Sequence, residues 1–178
     1  MGIDERPTLE PELDLLLEGI SILMDWRNIG PFSATVFHKL TGEDEEIFSL
    51  KASPADLTYE LTNLRTGDIE RFDSATGKVH SHGHESDFAP HMFIFEPLPV
   101  RLAFTPALGI WGRSSDDYRL TGAITPSDAH DTDSIVLTLS HMLDKSVTGT
   151  LAISRHHRHA VRLDTPTQTC RYESIEPQ

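Results

Sequence analysis

The spacing of apolar positions changes near residue 31. Before that point Leu9, Leu13, Leu16, Leu17, Ile20, Leu23 and Met24 recur three and four apart, which is one face of a 3.6-residue period. The spacing predicts a helix that ends before Asn28-Ile29-Gly30-Pro31. Thr8 is its expected N-cap. Glu10 and Glu12 fall in the first turn, where the helix dipole favours acids, and Pro11 falls where a missing N–H costs little. Such a one-sided stripe must lie against another element, and a sheet is the expected partner.

Beyond Pro31 the period is two. Phe32, Ala34 and Val36 alternate with Ser33, Thr35 and Phe37, and comparable runs follow at 47–51, 57–62, 69–72 and 78–82. Turns rich in Gly, Asp, Ser and Thr separate them. Strands resume at 118–124, 135–139, 148–154, 160–163 and 169–174, with a loop at 125–133. Short strands at this spacing predict an antiparallel sheet. Residues 92–111 break the pattern. Met92-Phe93-Ile94-Phe95 is an apolar run, and Pro97, Pro99 and Pro106 then interrupt a stretch that carries Leu98, Leu102, Phe104, Leu108, Ile110 and Trp111. This reads as one or two short helices. No repeat or long linker divides the chain. One domain is expected over 1–178, with 1–7 and 175–178 disordered.

Composition narrows the function classes. The formal charge of −13 on 178 residues argues against binding nucleic acid through phosphate neutralisation, and against a general anchor on anionic lipid. With 38% apolar residues the chain can build a core. A single cysteine, Cys170, excludes an internal disulfide and a C-x-x-C site; it lies in a terminal strand and reads as buried and structural. No apolar stretch approaches the ~18 residues that would span a bilayer. No G-x-S-x-G elbow, Walker loop or G-x-G-x-x-G fingerprint occurs. The protein as written is expected to be soluble and cytoplasmic, or periplasmic or in the cell envelope if a signal peptide has been removed.

Two polar clusters could carry chemistry. His80, His82 and His84 alternate in an expected strand and would share one face, with Glu85 and His91 nearby. Twist or a bend at Gly83 could gather some of them on a metal such as zinc, or they form a solvated loop. Arg155, Arg158 and Arg162 stand among His156, His157 and His159. They could hold an anionic headgroup or an acidic partner, or they are an ordinary polar hairpin turn that offsets acidic neighbours.

The order of elements (helix, meandering strands, proline-broken apolar insertion, more strands) resembles the LolA/LolB-like superfamily of lipoprotein carriers and lipid-binding lipoproteins. The helix feeding into Phe32-Ser33-Ala34-Thr35-Val36-Phe37 is similar to the opening of that family. The segment Leu50-Lys51-Ala52-Ser53-Pro54-Ala55-Asp56-Leu57-Thr58-Tyr59-Glu60 is similar to its second hairpin, and Thr105-Pro106-Ala107-Leu108 to the start of its lid helix. Residues 134–139 and 148–174 resemble its closing strands. The resemblance implies an α+β fold: a strongly curved antiparallel sheet, or half-open barrel, with an N-terminal helix and a short helical insertion over the concave face. It implies a cavity that takes acyl chains. Its lining would be Phe32, Val36, Tyr59, Phe93, Phe95, Leu98, Leu102, Phe104, Leu108, Ile110 and Trp111, unless these residues only fill the core. The favoured reading is a non-catalytic carrier of a lipid or other apolar ligand, with no cofactor. The alternatives are a cytosolic enzyme on the same scaffold using the His80–His91 cluster with a metal or as acid–base groups, and a protein-interaction domain.

Overall fold

The computed structural model describes residues 11–81, 83–87, 97–124 and 133–178. Helix α1 (Pro11–Met24) and a 3-10 turn (Trp26–Asn28) lead into five successive strands: β1 (Phe32–Leu40), β2 (Glu46–Ser53), β3 (Thr58–Asn63), β4 (Ile69–Asp73) and β5 (Lys78–Ser81). A further short strand, β6 (His84–Asp87), had no signal in the sequence pattern. The insertion holds helix α2 (Leu98–Arg101) and a 3-10 turn (Thr105–Ala107). Then come β7 (Tyr118–Ile124), β8 (Ser134–His141), β9 (Thr148–Ser154), β10 (His159–Thr165) and β11 (Gln168–Pro177).

All eleven strands join one antiparallel sheet in the order β6-β5-β4-β3-β2-β1-β11-β10-β9-β8-β7. The chain meanders outward from β1 to one edge. It reaches the opposite edge through the insertion and meanders back to pair β11 with β1. Among the described residues the sheet does not close, and β6 and β7 are its edges. The C-terminal residues depart from expectation. Instead of being disordered, 175–177 continue β11, Phe32 pairs with Pro177, and Gln178 N–H donates to the Pro31 carbonyl. A polar strand end paired along its length gives no composition signal.

Period-two alternation delivers one apolar face across the sheet. Val79, Phe72, Tyr59, Ala52 and Phe32 stand opposite one another on β5 to β1. On the other half Cys170, Leu163, Leu151, Leu137 and Ala123 do the same from β11 to β7. Helix α1 packs on β7, β8 and β10, while α2 packs on β1 and β2. The two covers therefore lie over different halves of the sheet.

The helix rests on the sheet by a face that shares Leu16, Ile20 and Leu23 with the expected one but is rotated from it. Gly19, Ile22 and Leu23 are buried, with Leu15 and Leu16 partly so. Leu13, Leu17 and Met24 are 39%, 52% and 65% exposed. The reason is Gly19. A Cβ there would meet Leu137 Cδ2 at 2.8 Å and Ile153 Cδ1 at 3.2 Å, so only the bare backbone lets the helix sit this close. Apolar residues on both sides of the helix left the sequence pattern no means of choosing. The expected N-cap, Thr8, and residues 1–7 lie outside the described residues.

Candidate functional site

The described lining residues of the expected cavity converge. Phe32, Val36 and Tyr59 come from the sheet face, and Leu102, Phe104, Leu108 and Ile110 from the insertion; all are buried in one core. Leu98 and Trp111 pack at its margin, partly buried. Phe93 and Phe95 lie outside the described residues. The centre is aromatic. Phe104 meets Trp26 edge-on at 6.2 Å and Tyr59 edge-on at 6.2 Å between ring centroids, a geometry that aromatic quadrupoles favour. Leu102, Phe104 and Leu108 are each 1% exposed, so the insertion itself fills the space above the sheet.

Hydrogen bonds fasten the insertion unevenly. Its distal part is tied down. Asp116 accepts from the backbone N–H groups of Trp111 and Arg113 and from Arg113 Nε, while Arg113 Nη2 donates to the carbonyls of Pro106 and Leu108. Burial pushes the Asp116 carboxyl up, but the side-chain and backbone bonds of Arg113 outweigh this and hold it below its ordinary value. Trp111 Nε1 donates to the Thr105 carbonyl, and the Thr105 hydroxyl donates to the Leu23 carbonyl at the end of α1. Backbone bonds from Tyr118 and Leu120 to Gly109 and Ile110 join this part to β7. The proximal part, α2, meets β11 through the Tyr172 hydroxyl, which donates to the Pro99 carbonyl at 2.8 Å. No local pattern marks the Thr105, Trp111, Arg113 and Tyr172 side-chain latches in the sequence, because each ends on a backbone carbonyl, a group that every residue carries.

The three arginines of the basic turn are ion-paired. Arg155 forms a bidentate pair with Glu18 of α1 (Nε to Oε1, 2.7 Å), and Arg158 reaches Asp25 at 3.1 Å. Arg162 pairs with Asp164 at 2.6 Å. The hydrogen bond from Arg155 holds the Glu18 carboxyl below its ordinary range. The first two pairs join α1 to the β9–β10 hairpin, and at such exposure solvent screens them strongly.

The histidine tract differs from expectation. Gly83 adopts φ +78°, which favours glycine, and the chain reverses there. His80 on β5 is opposite Glu85, and His84 on β6 is opposite Ser81. His80 and His84 therefore point to opposite faces instead of sharing one, and Glu85 is engaged by Lys78 at 2.6 Å. His82 and His91 lie outside the described residues. Among the described residues no group of three or more His, Cys, Asp or Glu is placed to hold a metal ion. Cys170 is fully buried, and burial pushes its thiol up to about 12, far from a nucleophilic thiolate.

Buried histidine dominates the far end of the core. His159 is 1% exposed, stacks on Phe32 (4.6 Å, 14°), and burial pushes its pKa down to about 4. The unfolded chain binds that proton near 6.5 and the folded chain only near 4, so stability falls as pH drops through this interval. The melting temperature should fall from about pH 7 to about pH 4.5, and His159→Phe should flatten that slope. An equal slope in the variant would remove His159 as its source.

No family model matches the chain, and no curated protein matches it. Solved structures do. An uncharacterized conserved protein from Thermus thermophilus aligns over 92% of this chain and 87% of its own, at 10% identity and TM-score 0.51. A chain of the Pseudomonas aeruginosa MucA/MucB complex aligns over 89% of this chain, at 11% identity and TM-score 0.54. This chain spans 56% of that second chain. Among the described residues no helix is long and apolar enough to cross a membrane. At such identity the likeness concerns fold alone.

Proposed function

We propose that this chain is a non-catalytic carrier, that its sheet curves around an apolar chamber, and that a lipid or other apolar ligand enters where α2 covers β1 and β2. One observation carries the reading: an apolar sheet face is covered by a short proline-broken segment that the Tyr172 hydroxyl latches to β11. Lifting α2 exposes Phe32, Val36 and Tyr59 to a ligand. An acyl chain regains about 0.8 kcal/mol per buried CH₂, so about a dozen methylenes can replace the apolar contact that α2 gives up. The inert Cys170 thiol favours binding over nucleophilic catalysis. Phe93 and Phe95 would extend the lining. An anionic headgroup at Arg155, Arg158 or Arg162 would compete with Glu18, Asp25 and Asp164.

A second reading, a protein partner, is favoured by the likeness to a chain from a two-protein complex. Titration with a fluorescent fatty acid separates the two. The carrier gives saturable binding, and Tyr172→Phe, which costs about 1 kcal/mol of latch, speeds its association. Absence of saturable binding by the folded protein contradicts the carrier.

A further inference from the structure

We propose that His159 and His157, at the β9–β10 hairpin, form a binding site for a divalent transition-metal ion of the zinc type. The site lies at a groove of about 290 Å³ whose walls include Ile29, Pro31, His156, His157, His159 and Ile175. It is independent of the carrier reading.

One proton decides what the His159 ring can do. Its Nδ1 stands 2.8 Å from the Ala160 carbonyl. A carbonyl only accepts, so Nδ1 carries the hydrogen and Nε2 carries a lone pair. Nε2 is buried and has no hydrogen-bond partner among the described residues. A buried acceptor without a donor is costly. Backbone anchoring of one ring nitrogen with the other left bare is the arrangement that orients metal-bound histidines. The Phe32 stack and the edge of Tyr172 at 6.1 Å fix the ring plane.

His157 supplies the second nitrogen. Its ring centroid is 5.9 Å from that of His159. Two imidazoles on one tetrahedral ion, with metal–nitrogen distances of about 2.0–2.1 Å, hold their centroids about 5 Å apart. Closing the difference requires the half-buried His157 ring to turn toward His159. The backbone beneath is already set. His157 N–H donates to Ser154 Oγ at 3.1 Å, and both Ser154 Oγ and His156 N–H donate to Asp133 Oδ2 at 3.0 Å. Burial, and then the neighbouring His156, lower the pKa of His157. The nearby cations Arg155 and Arg158 are paired to Glu18 and Asp25. Imidazole pairs suit zinc, copper and nickel, and two protein ligands leave positions for water or an external donor.

Isothermal titration of the tag-free chain with zinc chloride tests this, together with the imidazole nitrogen resonances. The expected result is one zinc per chain with a shift of His159 Nε2. That zinc persists when His80, His82, His84 and His91 are all changed to alanine. It is lost in His159→Phe, and in His157→Ala it weakens at least about tenfold. Should His159→Phe not fold, His157→Ala decides, since its ring lies on a half-buried turn. No zinc uptake by the wild type, undiminished uptake by His157→Ala, or loss only in the fourfold variant overturns the proposal.

Discussion

Replacing Phe104 with alanine should cost about 3–5 kcal/mol, the range for deleting a buried phenylalanine side chain, read as a lower denaturation midpoint with unchanged slope. The Phe104 ring touches both Trp26 beside α1 and Tyr59 on β3. Its loss therefore uncouples the insertion from both halves of the structure. The same change bears on function. If a ligand takes the place of this part of the insertion, the vacated volume becomes a binding site, and apolar molecules should restore part of the lost stability as their concentration rises. A cost below about 1 kcal/mol would show that the insertion does not pack around Phe104.

The second large effect is expected at Gly19. Leucine there must displace Leu137, Ile153 and Ile135, which already stand within contact range of the missing Cβ. Overpacking of this kind costs about 1–3 kcal/mol, and lifting α1 would add strain on the Arg155–Glu18 and Arg158–Asp25 pairs. Gly19→Ala is the informative control. Alanine gains about 1 kcal/mol in helix propensity and loses it again to the 2.8 Å contact, so its net effect should be small. A neutral Gly19→Leu would mean that α1 does not approach β8 and β9 through this glycine. Thermal melts of both variants read the difference.

Much of the sheet was legible because alternation is local. Phe32, Ala34 and Val36 announce a buried face at successive alternate positions, and Leu137 and Leu151 do the same on the far half. The register that places Val36 opposite Tyr172 is set by residues far apart in sequence and leaves no local mark. The helix was legible as an element but not in its rotation. Leu13, Leu17 and Met24 fit the period as well as Leu16 and Leu23, and only the partner surface chooses. The histidine tract misled for a related reason. Alternation assumes a continuous strand, and Gly83 ends it. The residues expected to line a cavity are large and apolar, which places such residues in the interior. The Tyr172–Pro99 hydrogen bond that fastens α2 over that interior leaves no mark in composition. His159 was grouped with the basic turn, whereas its ring belongs to the core beside Phe32.

The central claim is that an apolar molecule occupies the space between sheet and insertion. Native mass spectrometry of the gently purified chain tests it directly. The expected spectrum holds a bound species whose mass matches a lipid, released on unfolding and diminished in a variant where a disulfide ties α2 to β1. A wild-type chain that carries no such mass, and takes up none when offered lipid, would contradict it.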